Sequence, residues 1–160
     1  MTPPTGRASL LALIGYIGLC QLSGMTASAL TQPEVRGWYL TLAYPPGTPP
    51  GWVFPVVWTT LYVMIGTAGW RVWRRVGMAR VMRVWGWQLA FATAWSPAFF
   101  WLHSPLAGLA VIVPLWLSIA WTIRAFAPLD RTASWLLAPY LAWVSYATYL
   151  NAGFWWLNRV

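Results

Sequence analysis

Apolar residues along this chain gather into five long runs, and the polar stretches between the runs carry nearly every charge. The first run, within about residues 8–30, reads LALIGYIGLCQLSGMTASAL. It is long enough to cross a hydrocarbon core, which takes about 20 residues. Ala27 and Ala29 mimic a leader-peptide cleavage site, but the run is too long and its flank too weakly basic for that reading. Further runs predict helices over about 52–73, 84–102, 105–126 and 132–157. Pro97, Pro114 and Pro139 fall inside these spans, where neighbouring helices can satisfy the freed carbonyls. The pattern predicts an all-α membrane protein: one domain over residues 1–160, built as a bundle of five transmembrane helices.

The second run begins PPGWVFPVVWTTLYVMIG from Pro49. Proline is tolerated in a first helical turn, so Pro49, Pro50 and Pro55 read as a rigid lead-in. At about 100° per residue, Trp58, Tyr62, Ile65 and Gly69 share one face. The proline-rich connection over 31–51, which holds Glu34 and Arg36, is long enough to have a task of its own, and a lid is expected. Asp130 or Thr132 is placed to cap the fifth helix.

Composition sharpens this picture. Hydrophobic residues make up 59% of the chain and charged residues 8%, too apolar a balance for a soluble domain of this size. The net charge of +8 comes from arginine alone, with no lysine, and the arginines flank apolar runs. That distribution fits membrane topology and argues against nucleic acid as a partner. Arg7, Arg71, Arg74, Arg75, Arg80, Arg83, Arg124 and Arg131 share one side of a five-span topology, leaving Arg36 and Arg159 on the other. In a bacterial cell membrane this places the N-terminus in the cytoplasm and the 31–51 loop outside; an outer or mitochondrial membrane would void the argument.

Several chemistries lack their parts. Cys20 is the only cysteine and His103 the only histidine, so a disulfide within the chain, a thiolate cluster and a bis-histidine haem are excluded. No Ser/His/Asp set or metal-ligand spacing occurs. Both carboxylates, Glu34 and Asp130, fall in loops, whereas a proton-coupled antiporter is expected to hold an ionisable group inside its spans. His103 is expected to be merely solvated.

Fifteen tryptophans remain to be explained. Trp70, Trp73, Trp85 and Trp87 flank the basic stretch between the second and third runs and read as an interfacial belt. Trp58, Trp95 and Trp143 lie deeper. In the fifth run Trp143, Ala147, Leu150, Asn151, Phe154 and Asn158 share one face, and in the third Gln88, Ala92, Trp95 and Phe99 share another. Taken singly, Gln88 and Asn151 read more readily as interhelical glue than as ligand contacts. Together with the Trp58/Tyr62 face, these surfaces describe a cavity lined by flat rings, suited to a large planar apolar ligand. On the third helix Gly86, Ala90, Ala94 and Ala98 repeat every four residues on a stripe about 150° from the Gln88 face. That stripe suits close helix packing, either against the first or fourth helix or, as preferred here, in a homodimer.

Three blocks resemble the TspO/MBR family, the tryptophan-rich sensory proteins related to the mitochondrial translocator protein. They are WYLTLAYPPGTPPGWVFPVVWTTLYVMIG from Trp38, QLAFATAWSPAFF from Gln88 and PYLAWVSYATYLN from Pro139. The resemblance implies a five-helix bundle with no obligatory cofactor, binding porphyrins such as protoporphyrin IX as ligands. It carries Trp38, Trp58, Gln88, Trp95, Trp143, Ala147 and Asn151 over as ligand-binding positions, to which the faces above add Pro49, Pro50, Tyr62, Phe99 and Leu150. Trp58 and Trp143 match the tryptophans tied in some relatives to light- and oxygen-dependent porphyrin breakdown, which makes them the candidate catalytic residues.

The chain also departs from the family pattern. Tyr44 and Gly47 stand where the loop usually has a lysine and a tryptophan, Ala92 replaces an asparagine, and Trp156 replaces an arginine. Tyr149 and Arg159 are too far apart for the proposed sterol pattern, so sterol binding is not expected. Three roles stay open: ligand transport or signalling, enzyme-like porphyrin degradation, and a membrane scaffold whose cavity holds lipid.

Overall fold

A computed structural model describes residues 6–159, all of them helix, turn or loop. The long helices are α1 (Arg7–Arg36), α2 (Val53–Val76), α3 (Arg80–Ser96) and α4 (Pro105–Phe126). A short α5 (Arg131–Leu136) precedes α6 (Ala138–Asn158). Three of them, α1, α2 and α4, are long and apolar enough to cross a membrane.

The fivefold organisation agrees with the sequence, while several boundaries move. The first helix continues through Pro33 to Arg36, so Glu34 belongs to its last turn and the connection to α2 is shorter than 31–51. Trp38–Thr41 then forms a single 3-10 turn. The third helix starts at Arg80, so Arg80 and Arg83 are helical and the break after α2 spans only Gly77–Ala79. From Pro97 to Trp101 that helix widens into one π turn, in which Leu102 N–H donates to the Pro97 carbonyl at 3.2 Å. The fifth helix is broken at Leu137. Pro139 offers no N–H and sits in the first turn of α6 rather than inside a span. Asp130 caps α5, accepting from Ala133 N–H at 3.0 Å.

Small residues decide which helices touch. A Cβ on Gly66 would lie 2.7 Å from the Ile17 Cα, so α1 and α2 approach backbone to backbone. The Trp85 ring occupies the space where a side chain on Gly69 would stand, and its Nε1–H donates to the Ile65 carbonyl at 3.1 Å. Trp85 is therefore a core residue, 5% exposed, and not part of an interfacial belt. Helix α3 packs on α4 and α1, and α4 packs on α6. Helix α2 meets α5 but barely touches α6, so a gap opens between α2 and α6.

One end of the bundle is tied by Asp130. Arg71 donates to it through Nε at 3.1 Å, and Arg75 through Nε at 3.0 Å. Burial alone would raise the Asp130 pKa, but the Ala133 N–H and the two guanidinium groups outweigh it and hold the carboxyl below its ordinary range.

Candidate ligand-binding site

The gap between α2 and α6 is a cleft of about 530 Å³. Val56, Val57, Thr60, Leu61 and Met64 form one wall; Pro139, Ala142, Trp143 and Tyr146 form the other. The volume falls in the range of small-molecule sites, about 300–1,000 Å³, and the walls are almost wholly apolar. Val56, Thr60 and Ala142 are exposed, so the cleft opens sideways at the bundle surface. Trp143 is its largest ring. It meets Phe54 at 5.9 Å and Tyr146 at 5.7 Å between centroids, and its buried Nε1–H has no partner. An unpaired indole N–H is the one polar handle that the Trp143 wall keeps unsatisfied.

The loop between the 3-10 turn and α2 is strapped along α6. Tyr146 donates its hydroxyl to the Gly47 carbonyl, and Tyr149 donates to the Pro46 carbonyl at 3.1 Å. Asn158 accepts from Ala43 N–H at 2.8 Å and donates to the Ala43 carbonyl at 3.0 Å. Pro45 fills the space where Gly153 lacks a side chain. Tyr146 thus serves two purposes, as a wall of the cleft and as an anchor of the loop. Gly47 has φ +84°, a backbone conformation that excludes most other residues, so its departure from the family pattern has a local cause. Tyr44 stays exposed, donating to the Tyr39 carbonyl at 3.0 Å and packing edge-on against the Phe154 ring at 5.4 Å.

The site residues expected from sequence do not meet at one place. Trp143 lines the cleft. Trp58 and Tyr62 are not walls of it but belong to the main core, their rings 5.4 Å apart and inclined by 30°, with Tyr140 edge-on to Trp58 at 6.1 Å. A second cluster, which reaches the cleft only through Tyr146 and Phe54, gathers Trp38, Trp95, Phe99 and Leu150 around Tyr39, Phe100 and Phe154. There Asn151 accepts from Trp95 Nε1 at 2.9 Å and donates to the Pro105 carbonyl at 2.6 Å, joining three helices. Both ends of this amide are used, which is the glue expected of it. Gln88 is the opposite case: wholly buried on α3, with neither amide atom paired. Ala147 is packed in the main core, 8% exposed, and Pro49 and Pro50 lie in the loop outside the cleft walls. His103 is more than solvated: it pairs with Glu34 and stacks on Trp38 at 4.8 Å, with the rings inclined by 25°.

Sequence reasoning passed over most of the wall. Val56, Thr60 and Ala142 occupy helix faces whose composition matches lipid-facing surface, and only the divergence of α2 from α6 turns them into a site. Tyr146 had a visible signal, since it lies one turn from Ala142 and three residues from Trp143. Of the small-residue stripe, Ala90 and Ala94 on α3 are exposed, while Gly86 and, in the π turn, Ala98 are half-buried, so only the middle of the stripe lies open.

An all-helical bundle with an apolar lateral cleft faced by Trp143 and Tyr146 and a loop strapped over its last helix defines a class of small tryptophan-rich helical proteins. The TspO/MBR family profile matches residues 16–157, and the chain belongs to that family. It is 43% identical to the tryptophan-rich protein TspO of Chlorobaculum tepidum over 146 residues, 89% of this chain and 92% of that one. It is 41% identical to the tryptophan-rich sensory protein of Cereibacter sphaeroides, over 79% of this chain and 78% of the relative. The translocator protein of Bos taurus is 31% identical, with 100% of this chain and 95% of the relative covered.

Proposed function

We propose that the protein spans a membrane five times and binds a porphyrin or similar planar tetrapyrrole in the cleft between α2 and α6, for transport or signalling. The outward side chains support the membrane setting: Leu10, Leu11, Ile14, Leu22 and Met25 of α1 are all more than half exposed, which water would penalise and lipid would not. The observation that carries the ligand reading is the cleft itself, faced by Trp143 and Tyr146. Flat rings give a macrocycle stacking surfaces. A porphyrin needs no metal or cofactor from the protein to bind in this way. The exposed Ala90 and Ala94 of the Gly86/Ala90/Ala94/Ala98 stripe support a homodimer built through α3, with the clefts turned away from the seam.

Quenching of tryptophan fluorescence by protoporphyrin IX, with the protein in mild detergent, tests the ligand reading. Saturable binding that weakens on Trp143→Ala is expected. Affinity no better than detergent partitioning would leave a scaffold with a lipid-filled cleft. The Trp58–Tyr140 contact favours keeping one second reading, in which Trp58 and Trp143 donate electrons during light- and oxygen-dependent porphyrin breakdown. Illumination that yields a stoichiometric product, lost in Trp143→Phe, would support it.

A further inference from the structure

At the end of the bundle tied by Asp130, each of four helices carries the same two-residue device. On α2, Arg74 lies near the helix end, with Trp70 one turn further in. The Arg74 guanidinium stands over the Trp70 ring at 4.8 Å. On α3, Arg83 is near the end and Trp87 one turn in; on α4 the pair is Arg124 and Trp121. On α5 it is Arg131, the first residue, with Trp135. All four arginines are exposed, and Trp87, Trp121 and Trp135 are 62–70% exposed. The Arg71–Asp130 and Arg75–Asp130 bonds join the α2–α3 end to the α4–α5 connection, so the four pairs sit at one level of the molecule.

The offset within each pair is three or four residues, about 4.5–6 Å along a helix. The headgroup zone of one leaflet is about 5–8 Å deep, taking the difference between total and hydrocarbon thickness. The arginines therefore reach phosphate level while the indoles lie at the hydrocarbon boundary, where amphipathic rings are favoured. The chain offers these guanidinium groups no counter-charge. Its two carboxylates are Asp130, already shared by Arg71 and Arg75, and Glu34, paired with His103 at the opposite end. Every cation is arginine and none lysine, and the planar guanidinium can grip a phosphate with two N–H groups at once. The opposite end has Arg36 and Arg159, and Arg159 stands over the Trp156 ring at 3.3 Å and the Trp155 ring at 5.5 Å, so that end carries one arginine with its tryptophans where the collar carries four.

We propose that this collar is a binding surface for anionic phospholipid, each Arg–Trp pair holding one headgroup phosphate above and its glycerol region below. The inference rests on the membrane-spanning reading given above. It goes beyond topology, because it requires selective binding of lipid by the folded protein and not only orientation during insertion.

The test uses the purified full chain in detergent, titrated with dioleoylphosphatidylglycerol or dioleoylphosphatidylcholine. Bound lipid is counted by native mass spectrometry and thermal unfolding is followed in parallel. Phosphatidylglycerol is expected to be retained preferentially and to raise the unfolding temperature more than phosphatidylcholine. In the triple variant Arg83→Gln/Arg124→Gln/Arg131→Gln the preference should fall roughly tenfold or more, given the attraction expected per surface arginine. The corresponding triple lysine variant should keep part of it. A cooperative thermal unfolding transition reports whether each variant is folded; should the glutamine variant fail to fold, the lysine variant and the wild-type lipid comparison still decide. Equal retention of both lipids by the wild type, or an unchanged preference in the folded glutamine variant, would overturn the collar while leaving the five-span reading intact. Recovery of the wild type in the soluble fraction without detergent would overturn the five-span reading instead.

Discussion

Trp95 donates its indole N–H to Asn151 Oδ1 at 2.9 Å, and through Asn151 Nδ2 the bond continues to the Pro105 carbonyl at 2.6 Å. This ties α3 and α6 to the first turn of α4 inside an otherwise aromatic cluster. Asn151→Leu leaves the Trp95 donor and the Pro105 acceptor without that partner, at a cost of about 1–3 kcal/mol. A lower unfolding temperature in detergent is expected, with porphyrin affinity nearly unchanged, because Asn151 is not a wall of the cleft. Gly108→Ala should act in the same direction, since its Cβ would come within 2.6 Å of Asn151 Oδ1.

Bulk in the cleft should separate from bulk in the core. Ala142 is an exposed wall residue, so Ala142→Trp is expected to fill the cleft and weaken porphyrin binding about tenfold or more, with little change in unfolding temperature. Ala147 lies in the packed interior, so Ala147→Leu should destabilise the fold by about 1–3 kcal/mol. A titration and a melting curve on each variant check this; equal effects on binding from two equally stable variants would move the site.

The loop is held by few groups, and releasing them should speed ligand exchange. Tyr146→Phe removes the hydroxyl bonded to the Gly47 carbonyl while keeping the ring in the cleft wall. Combined with Asn158→Ala, it is expected to raise both association and dissociation rates in stopped-flow quenching and to open residues 42–50 to proteolysis. Unchanged rates would mean that ligand enters without crossing the loop. Replacing Gly47 by tryptophan, the residue of the family pattern, should strain the backbone at φ +84° before any added ring can help.

Acid should loosen the Asp130 end. The folded pKa of Asp130 lies below its unfolded value, so the bonded carboxylate stabilises fully above the unfolded pKa, about 3.9. That contribution is lost as pH falls through the lower, folded pKa. Asp130→Asn keeps the cap but removes the charge. It is expected to cost about 1–2 kcal/mol at pH 7, less than for a fully buried pair because both guanidinium groups remain partly in water. The unfolding temperatures of the two proteins should differ by a constant amount from pH 7 down to about pH 4 and draw together as the pH is taken further down; a difference that shrinks already between pH 7 and pH 5 would show that another group titrates.

The small-residue stripe on α3 gives the last prediction. Ala94→Leu, on an exposed position, should convert a dimer to monomers in mild detergent while porphyrin binding is retained. Light scattering coupled to size-exclusion chromatography reads the outcome, and a dimer that persists would place the seam on another face.

Apolar runs of membrane length, the arginine asymmetry and three aromatic blocks determined the helical bundle and its family from the sequence alone. Each of those signals is local: a run must be long enough, and a cap such as Asp130 must precede its helix. The breaks at Leu137 and Pro97 were marked by prolines, yet whether a proline starts, widens or kinks a helix depends on which N–H and carbonyl groups its neighbours satisfy. Helical periodicity placed Trp143, Ala147 and Asn151 on one face, and they do share it, but it could not say what stands opposite. Asn151 meets Trp95 and Pro105, Ala147 enters the core, and Trp143 alone faces the cleft. Trp85 shows the same limit, since only the missing side chain of Gly69 makes room for its ring inside the bundle. In a chain whose core and outer surface are equally apolar, composition cannot tell a cavity wall from a surface. Where α2 and α6 diverge is set by backbone approach at Gly66 and by the Arg71 and Arg75 bonds to Asp130, and those are relations between helices that no single stretch of sequence contains.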